Sequence, residues 1–263
     1  EDQIRAMRSN LWQCVEHIAK LSERTRKKLH LGLEPEPLCY LETSAETVQF
    51  FDQLRADRPN DARLAEHLGV NYDTCHLAVE FEEPQNTIKR FQQHGIRISK
   101  IHLSSALKVR PTPEVCEALR AFADDIYFHQ VIARSQDCKL ERFRDLDVAL
   151  TRNSEPVTRN SSEALTRNSE LGTRNSSEWR IHFHIPLHSP KTPLFDNTSD
   201  HILRLLDILQ RQPDLCSHLE METYTWEVMP PEMKNRNVVD QLVSEYEWCL
   251  AAMAERGIKS QVS

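Results

Sequence analysis

The sequence predicts an α/β fold, with a parallel sheet, helices outside it and one inserted β-hairpin. Two observations predict it. Short apolar runs that stop at turn residues alternate with segments whose apolar residues recur at spacings of three and four. That alternation breaks once, around QDCK at 136–139, where two strand-like runs follow one another directly.

The elements follow in order. Residues 2–27 read as a helix carrying Ile4, Met7, Leu11, Val15, Ile18 and Leu21 on one face. LHLGLEP (29–35) is a short strand stopped by proline. Thr43 and Glu46 form a T-x-x-E capping box that opens a helix through Val48, Phe51 and Leu54. GVNYDTCH (69–76) is a second strand, NTIKRFQQHG (86–95) a helix with a glycine stop, and RISKIHLSS (97–105) a third strand. PTPEVCEALRAFA (111–123) is a helix with proline at its start. The hairpin occupies 127–150. WRIHFHIPLH (179–188) and HLEMETYTW (218–226) complete five expected core strands. A helix capped by Asn197 or Thr198 separates these two, and a long helix over 236–256 follows them. Parallel strands of this kind need helices on their faces.

One stretch does not fit. TRN recurs at intervals of seven, eight and seven across 151–179, with no apolar seam. Ser, Asn, Thr, Arg and Glu cannot bury a core, so 151–178 reads as a disordered, low-complexity insertion within a single domain spanning 1–263.

Composition narrows the function. A net charge of −7, with no basic stripe, argues against a nucleic-acid groove. No apolar run approaches the length of a membrane span. The opening EDQIRAMRSNLWQ is charged and helical in pattern, unlike a signal peptide. Seven scattered cysteines without a CxxC pair read as reduced thiols, which places the chain in the cytoplasm. With only five glycines there is no glycine-rich phosphate loop.

In parallel α/β folds the chemistry gathers at the carboxyl ends of the strands. Those ends carry Glu34, Asp73, His102, the pair His182 and His184, and the pair Glu220 and Glu222. Taken singly, Glu34 is a solvated loop acid, Asp73 caps the next turn and His76 is a structural histidine. Five successive strands that each bring a ligand favour a metal site. Three carboxylates and one imidazole make a mostly oxygen site for one divalent cation, suited to Mn²⁺ or Mg²⁺ and also admitting Co²⁺ or Zn²⁺. His182 and His184 share one strand face, as do Glu220 and Glu222.

The segments GLEPEP, NYDTCH, KIHLSS and LEMETY resemble the xylose-isomerase-like TIM barrels of the sugar phosphate isomerase/epimerase superfamily. HLGLEPEPLCYLETS, NYDTCHLAVEFE and HFHIPLH are most similar to its EboE-type metabolite traffic proteins, which are linked to export of a cytoplasmic metabolite. The resemblance runs from about residue 1 to 256, apart from the TRN insertion. It implies a partial TIM-type β/α barrel lacking the three amino-terminal βα units. A barrel of that kind needs a missing part or self-association to cover its edges.

The resemblance also implies roles. Glu34, Asp73, His102 and Glu222 would hold the metal, with Glu34 and Glu222 also acting as the catalytic acid/base pair. Asp73-x-x-His76 matches a motif whose histidine contacts substrate. His182, His184 and His188 are further substrate-binding candidates. Lys108 and Arg110 can meet a phosphate or carboxylate, although exposed loop cations are the commoner case, and His129 and Arg134 of the hairpin can reach a ligand. Three functions follow: a metal-dependent isomerase or epimerase of a small sugar-like or polyol metabolite, a metal-dependent hydrolase, and a trafficking protein that binds a metabolite without turnover.

Overall fold

The computed structural model describes residues 2–123, 126–154, 176–222, 228–230 and 237–259. The first half runs α1 (Asp2–Thr25), β1 (Leu31–Leu33), α2 (Ser44–Asp57), α3 (Arg63–His67), β2 (Leu68–Asp73), α4 (Thr74–Val79), α5 (Pro84–Gln93) and β3 (Ile98–Leu103). Then come β4 (Ala106–Val109), α6 (Pro113–Ala118) with a 3-10 turn (Leu119–Phe122), β5 (Val131–Ser135), β6 (Leu140–Phe143) and α7 (Leu146–Ser154). The rest comprises β7 (Ser176–His184), β8 (Asp196–Asn197), α8 (Ser199–Arg211), β9 (Leu219–Met221) and α9 (Val238–Glu255).

Two sheets result. β1, β2, β3 and β9 lie side by side, all parallel. Asp73 stands opposite His102, and His102 opposite Glu220. The close approach of β2 to β3 requires Gly69, because a Cβ there would lie 2.4 Å from Ser99 Oγ. Val70, Tyr72, Ile101 and Leu103 turn into a core shared with Phe51 and Leu54 of α2, Phe91 of α5 and Leu205 and Leu206 of α8. Asn71, Asp73 and His102 alternate with these residues and take the other face. The expected capping box is formed: Thr43 Oγ1 accepts from Glu46 N–H, and Glu46 Oε2 accepts from Thr43 N–H.

The second sheet is antiparallel, in the order β6-β5-β7-β4-β8. Trp179, Ile181 and Phe183 of β7 pack in a separate core with Val131, Ala133, Phe143 and Leu146. A small cluster of Cys75, Val79, Ala106 and Ile132 joins elements of the two halves.

Several expectations are corrected here. Four of the five expected core strands form the parallel sheet, but the strand carrying His182 and His184 belongs to the antiparallel one. Strand alternation has the same period in both kinds of sheet, so the residue pattern did not separate them. No closed barrel exists among the described residues, and the fold is mixed α/β with one sheet of each kind. β2 stops at Asp73, and Thr74–Val79 is helical. The hairpin pairs Val131–Ser135 with Leu140–Phe143, whereas Leu146–Ser154 is a helix. TRNS (151–154) therefore belongs to α7, and β7 begins at Ser176. Residues 155–175 of the TRN insertion lie outside the described residues.

Candidate metal centre

Parallel pairing of β1, β2, β3 and β9 sets their carboxyl ends on one edge. Glu34 lies one residue beyond β1, Asp73 ends β2, His102 is the penultimate residue of β3, and Glu222 lies one residue beyond β9. Ligand atoms of these four residues all fall within 4.8 Å of one another. Four strands of one sheet thus deliver the four residues expected to hold a metal.

His102 is the focus of the charges. Its Nδ1 lies 2.8 Å from Glu222 Oε2, 3.0 Å from Glu34 Oε1 and 3.6 Å from Asp73 Oδ2. Burial pulls the His102 pKa down, but the facing carboxylates of Asp73, Glu222 and Glu34 outweigh it and raise the value to about 11. One ring nitrogen carries one proton and cannot serve three carboxylates. Glu222 Oε2 is in fact buried with no hydrogen bond of acceptable geometry. Three carboxylates facing one imidazolium also leave an excess of negative charge, which a divalent cation would neutralise. The donor set, geometry and charge all fit a metal ion.

Asp73 is held rigidly. It is fully buried, and both its oxygens accept from Ser104 Oγ at 2.8 Å, while Oδ1 also accepts from His76 N–H at 2.8 Å. Burial pushes the Asp73 pKa up, but the charge of His76 and the bond with His102 outweigh it and hold the carboxyl well below its usual range. Asn71 Nδ2 donates to Glu34 Oε2 at 2.7 Å. Ser104 and Asn71 were not singled out in the sequence. The available signal was spacing: Asn71 precedes Asp73 by two residues on the same strand face, and Ser104 follows His102 by two.

His76 sits in the first turn of α4, its Nδ1 3.5 Å from Glu34 Oε1 and 3.7 Å from Asp73 Oδ1. Its ring centroid is 4.6 Å from that of His182 and 5.6 Å from that of His184, whose centroids are 5.4 Å apart. The antiparallel sheet thereby brings two more predicted substrate-binding histidines beside the four-residue cluster. Burial, reinforced by the neighbouring imidazoles, lowers the His182 pKa. Burial lowers that of His184, with Asp73 opposing it. Further groups able to hold a metal are Asp73/His76/His184, Cys75/His182/His184 and Glu36/His76/His182. His188, half-buried beyond β7, is in none of them.

Most of the other candidate cations find partners. Lys108, on β4 and not in a loop, faces Asp200 at 3.4 Å and Asp196 at 3.7 Å. Arg110 is exposed. Arg134 stacks on Phe81 and pairs with Glu178, and buried His129 places Nδ1 3.3 Å from the His182 carbonyl oxygen. Glu220 pairs with Lys100 at 2.6 Å and lies 3.6 Å from His102 Nε2, whereas Glu222 comes closer to the ring, 2.8 Å from Nδ1. No described helix is long and apolar enough to cross a membrane. The chain matches no protein-family model, no curated protein and no solved structure.

Proposed function

We propose that the protein is a divalent-metal-dependent isomerase or epimerase of a small sugar or sugar phosphate, serving metabolite processing or export. One observation carries this reading: Glu34, Asp73, His102 and Glu222 meet at the carboxyl edge of one parallel sheet. The donor set of three carboxylates and one imidazole favours Mn²⁺ or Mg²⁺ over softer ions. When bound, such an ion supplies Lewis-acid polarisation of a substrate carbonyl. Glu34 and Glu222 come from the two outer strands of the sheet and so flank the centre from opposite sides. One takes the proton next to the carbonyl and the other returns it, inverting the carbon or moving the carbonyl. Asp73, fixed by Ser104, and His102 orient the centre. His76, behind Glu34 and Asp73, accepts a hydrogen bond from a substrate hydroxyl.

The test is exchange of the carbon-bound hydrogen with solvent deuterium across ketoses, aldoses and their phosphates, in the presence of Mn²⁺. Wild type should exchange at least one of them, and Glu34→Gln and Glu222→Gln should each lose about 10²–10⁴-fold in rate. Metal binding without exchange on any sugar would replace this reading with that of a metabolite-binding protein. A metal-dependent hydrolase is the second reading, favoured by the three neighbouring imidazoles of His76, His182 and His184. Cleavage of a phosphodiester probe without sugar exchange would select it.

A further inference from the structure

We infer that the protein carries a second metal site of nitrogen and sulfur character, built by Cys75, His182 and His184 with His76 beside them, which takes a borderline-soft cation such as Zn²⁺ or Co²⁺. The site lies between the two sheets and is chemically distinct from the oxygen-rich cluster. Ligand atoms of Cys75, His182 and His184 fall within 4.8 Å of one another, and all three residues are buried. Cys75 comes from the first turn of α4, one residue before His76, while β7 presents His182 and His184 on the face opposite Trp179, Ile181 and Phe183.

A second, independent observation lies behind the rings. The Nδ1 of His182 is 2.6 Å from Gln130 Oε1, that of His184 is 3.3 Å from the Glu222 carbonyl oxygen, and that of His76 is 3.2 Å from the Pro35 carbonyl oxygen. Amide and carbonyl oxygens only accept, so each Nδ1 must carry the proton and each Nε2 the lone pair. Histidines that ligate metals show this pattern: one ring nitrogen is anchored by an oxygen and the other is turned to the ion. Three adjacent imidazoles anchored alike, with a thiol within reach of two of them, form a donor set that zinc and cobalt prefer to magnesium or calcium. The cation binds as the Cys75 thiol loses its proton to solvent, so a sulfur–metal bond forms and a proton is released.

The second site does not depend on the isomerase reading, and the test keeps the two apart. Metal-free full-length protein is titrated with Co²⁺, with absorbance followed from the near-ultraviolet into the visible. Wild type should develop a sulfur-to-cobalt charge-transfer band together with the intense visible bands of tetrahedral cobalt. Cys75→Ser should abolish the charge-transfer band, whereas Glu222→Gln, which weakens only the oxygen-rich cluster, should keep it. Gln130→Ala, which removes the anchor of His182, should retain the band and weaken Zn²⁺ binding by about 10–100-fold. No charge-transfer band in wild type, or an unchanged band in Cys75→Ser, would overturn the proposal. If Cys75→Ser does not fold, the wild-type spectrum and the Gln130→Ala affinity decide, and unaltered Zn²⁺ affinity in Gln130→Ala counts against the site. Sugar exchange lost in Glu222→Gln while its cobalt band persists would show that the two sites stand or fall separately.

Discussion

Asp73 shows how one side chain ties folding to the centre. It ends β2, caps α4 through the His76 N–H and accepts from Ser104, all while lying in the four-residue cluster. Ser104 Oγ also accepts from the Cys75 N–H at 3.0 Å. Ser104→Ala should therefore cost about 1–3 kcal/mol of stability in chemical denaturation and weaken metal affinity by about 10–100-fold in a titration. His102 sets the pH dependence. Without metal it is stabilised as an imidazolium, with its pKa raised from 6.5 to about 11. Its contribution to stability is fully present below pH 6.5 and is lost as pH rises through about 11. A metal ligand must be neutral, so binding should release a proton and affinity should rise by up to about tenfold per pH unit across the neutral range. A pH-independent affinity would exclude His102 as a ligand. Glu34, Asp73, His102 and Glu222 stood out in the sequence because each lies at or just beyond the carboxyl end of an apolar strand. Asn71 and Ser104 were not, because a polar residue that positions a ligand has no signature beyond its spacing from it.

At the scale of elements, the hairpin is the part that sequence reasoning placed least well. β4 was not anticipated, since ALKVR followed by proline reads as a loop, and the run 146–150 passes for a strand until Leu146, Ala149 and Leu150 are seen on one helical face. The hairpin is fastened to the parallel half by Arg142 of β6, which pairs with buried Glu80 and lies 3.6 Å from Glu42. Burial raises the Glu80 pKa to about 7 against the opposing charge of Arg142. A carboxyl raised in this way adds stability that is full below its ordinary value of 4.5 and is lost as pH rises through about 7. The thermal midpoint of wild type, compared with that of Glu80→Gln across this range, should show the extra pH dependence in wild type alone. β7 is the spine of the antiparallel sheet, and Trp179 is its largest fully buried side chain. Trp179→Ala should lose about 3–5 kcal/mol in denaturant unfolding and loosen His182 and His184 with it.

Across the whole molecule, the two sheets have separate cores, and the candidate ligands collect where they meet. The parallel half brings the carboxylates with His76 and His102, and the antiparallel half brings His182 and His184. The four-strand parallel sheet was readable because each strand is preceded or followed by an amphipathic helix. The antiparallel companion was not, because pairing direction leaves no mark on the alternation of side chains. The four residues that the resemblance implies as ligands lie within 4.8 Å of one another, but no closed barrel exists among the described residues. A segment of the composition of 155–175 is not expected to bury a core, so replacing it with a short linker should leave metal affinity within about twofold of wild type in a titration.

The most direct measurement is the metal content of the purified chain by elemental analysis, alongside Asp73→Ala and His102→Ala. A divalent ion bound in wild type, with Mn²⁺ or Mg²⁺ lost in both variants, is the result predicted by the meeting of Glu34, Asp73, His102 and Glu222. Wild type that stays metal-free after reconstitution, or variants that keep their full Mn²⁺ content, would contradict it.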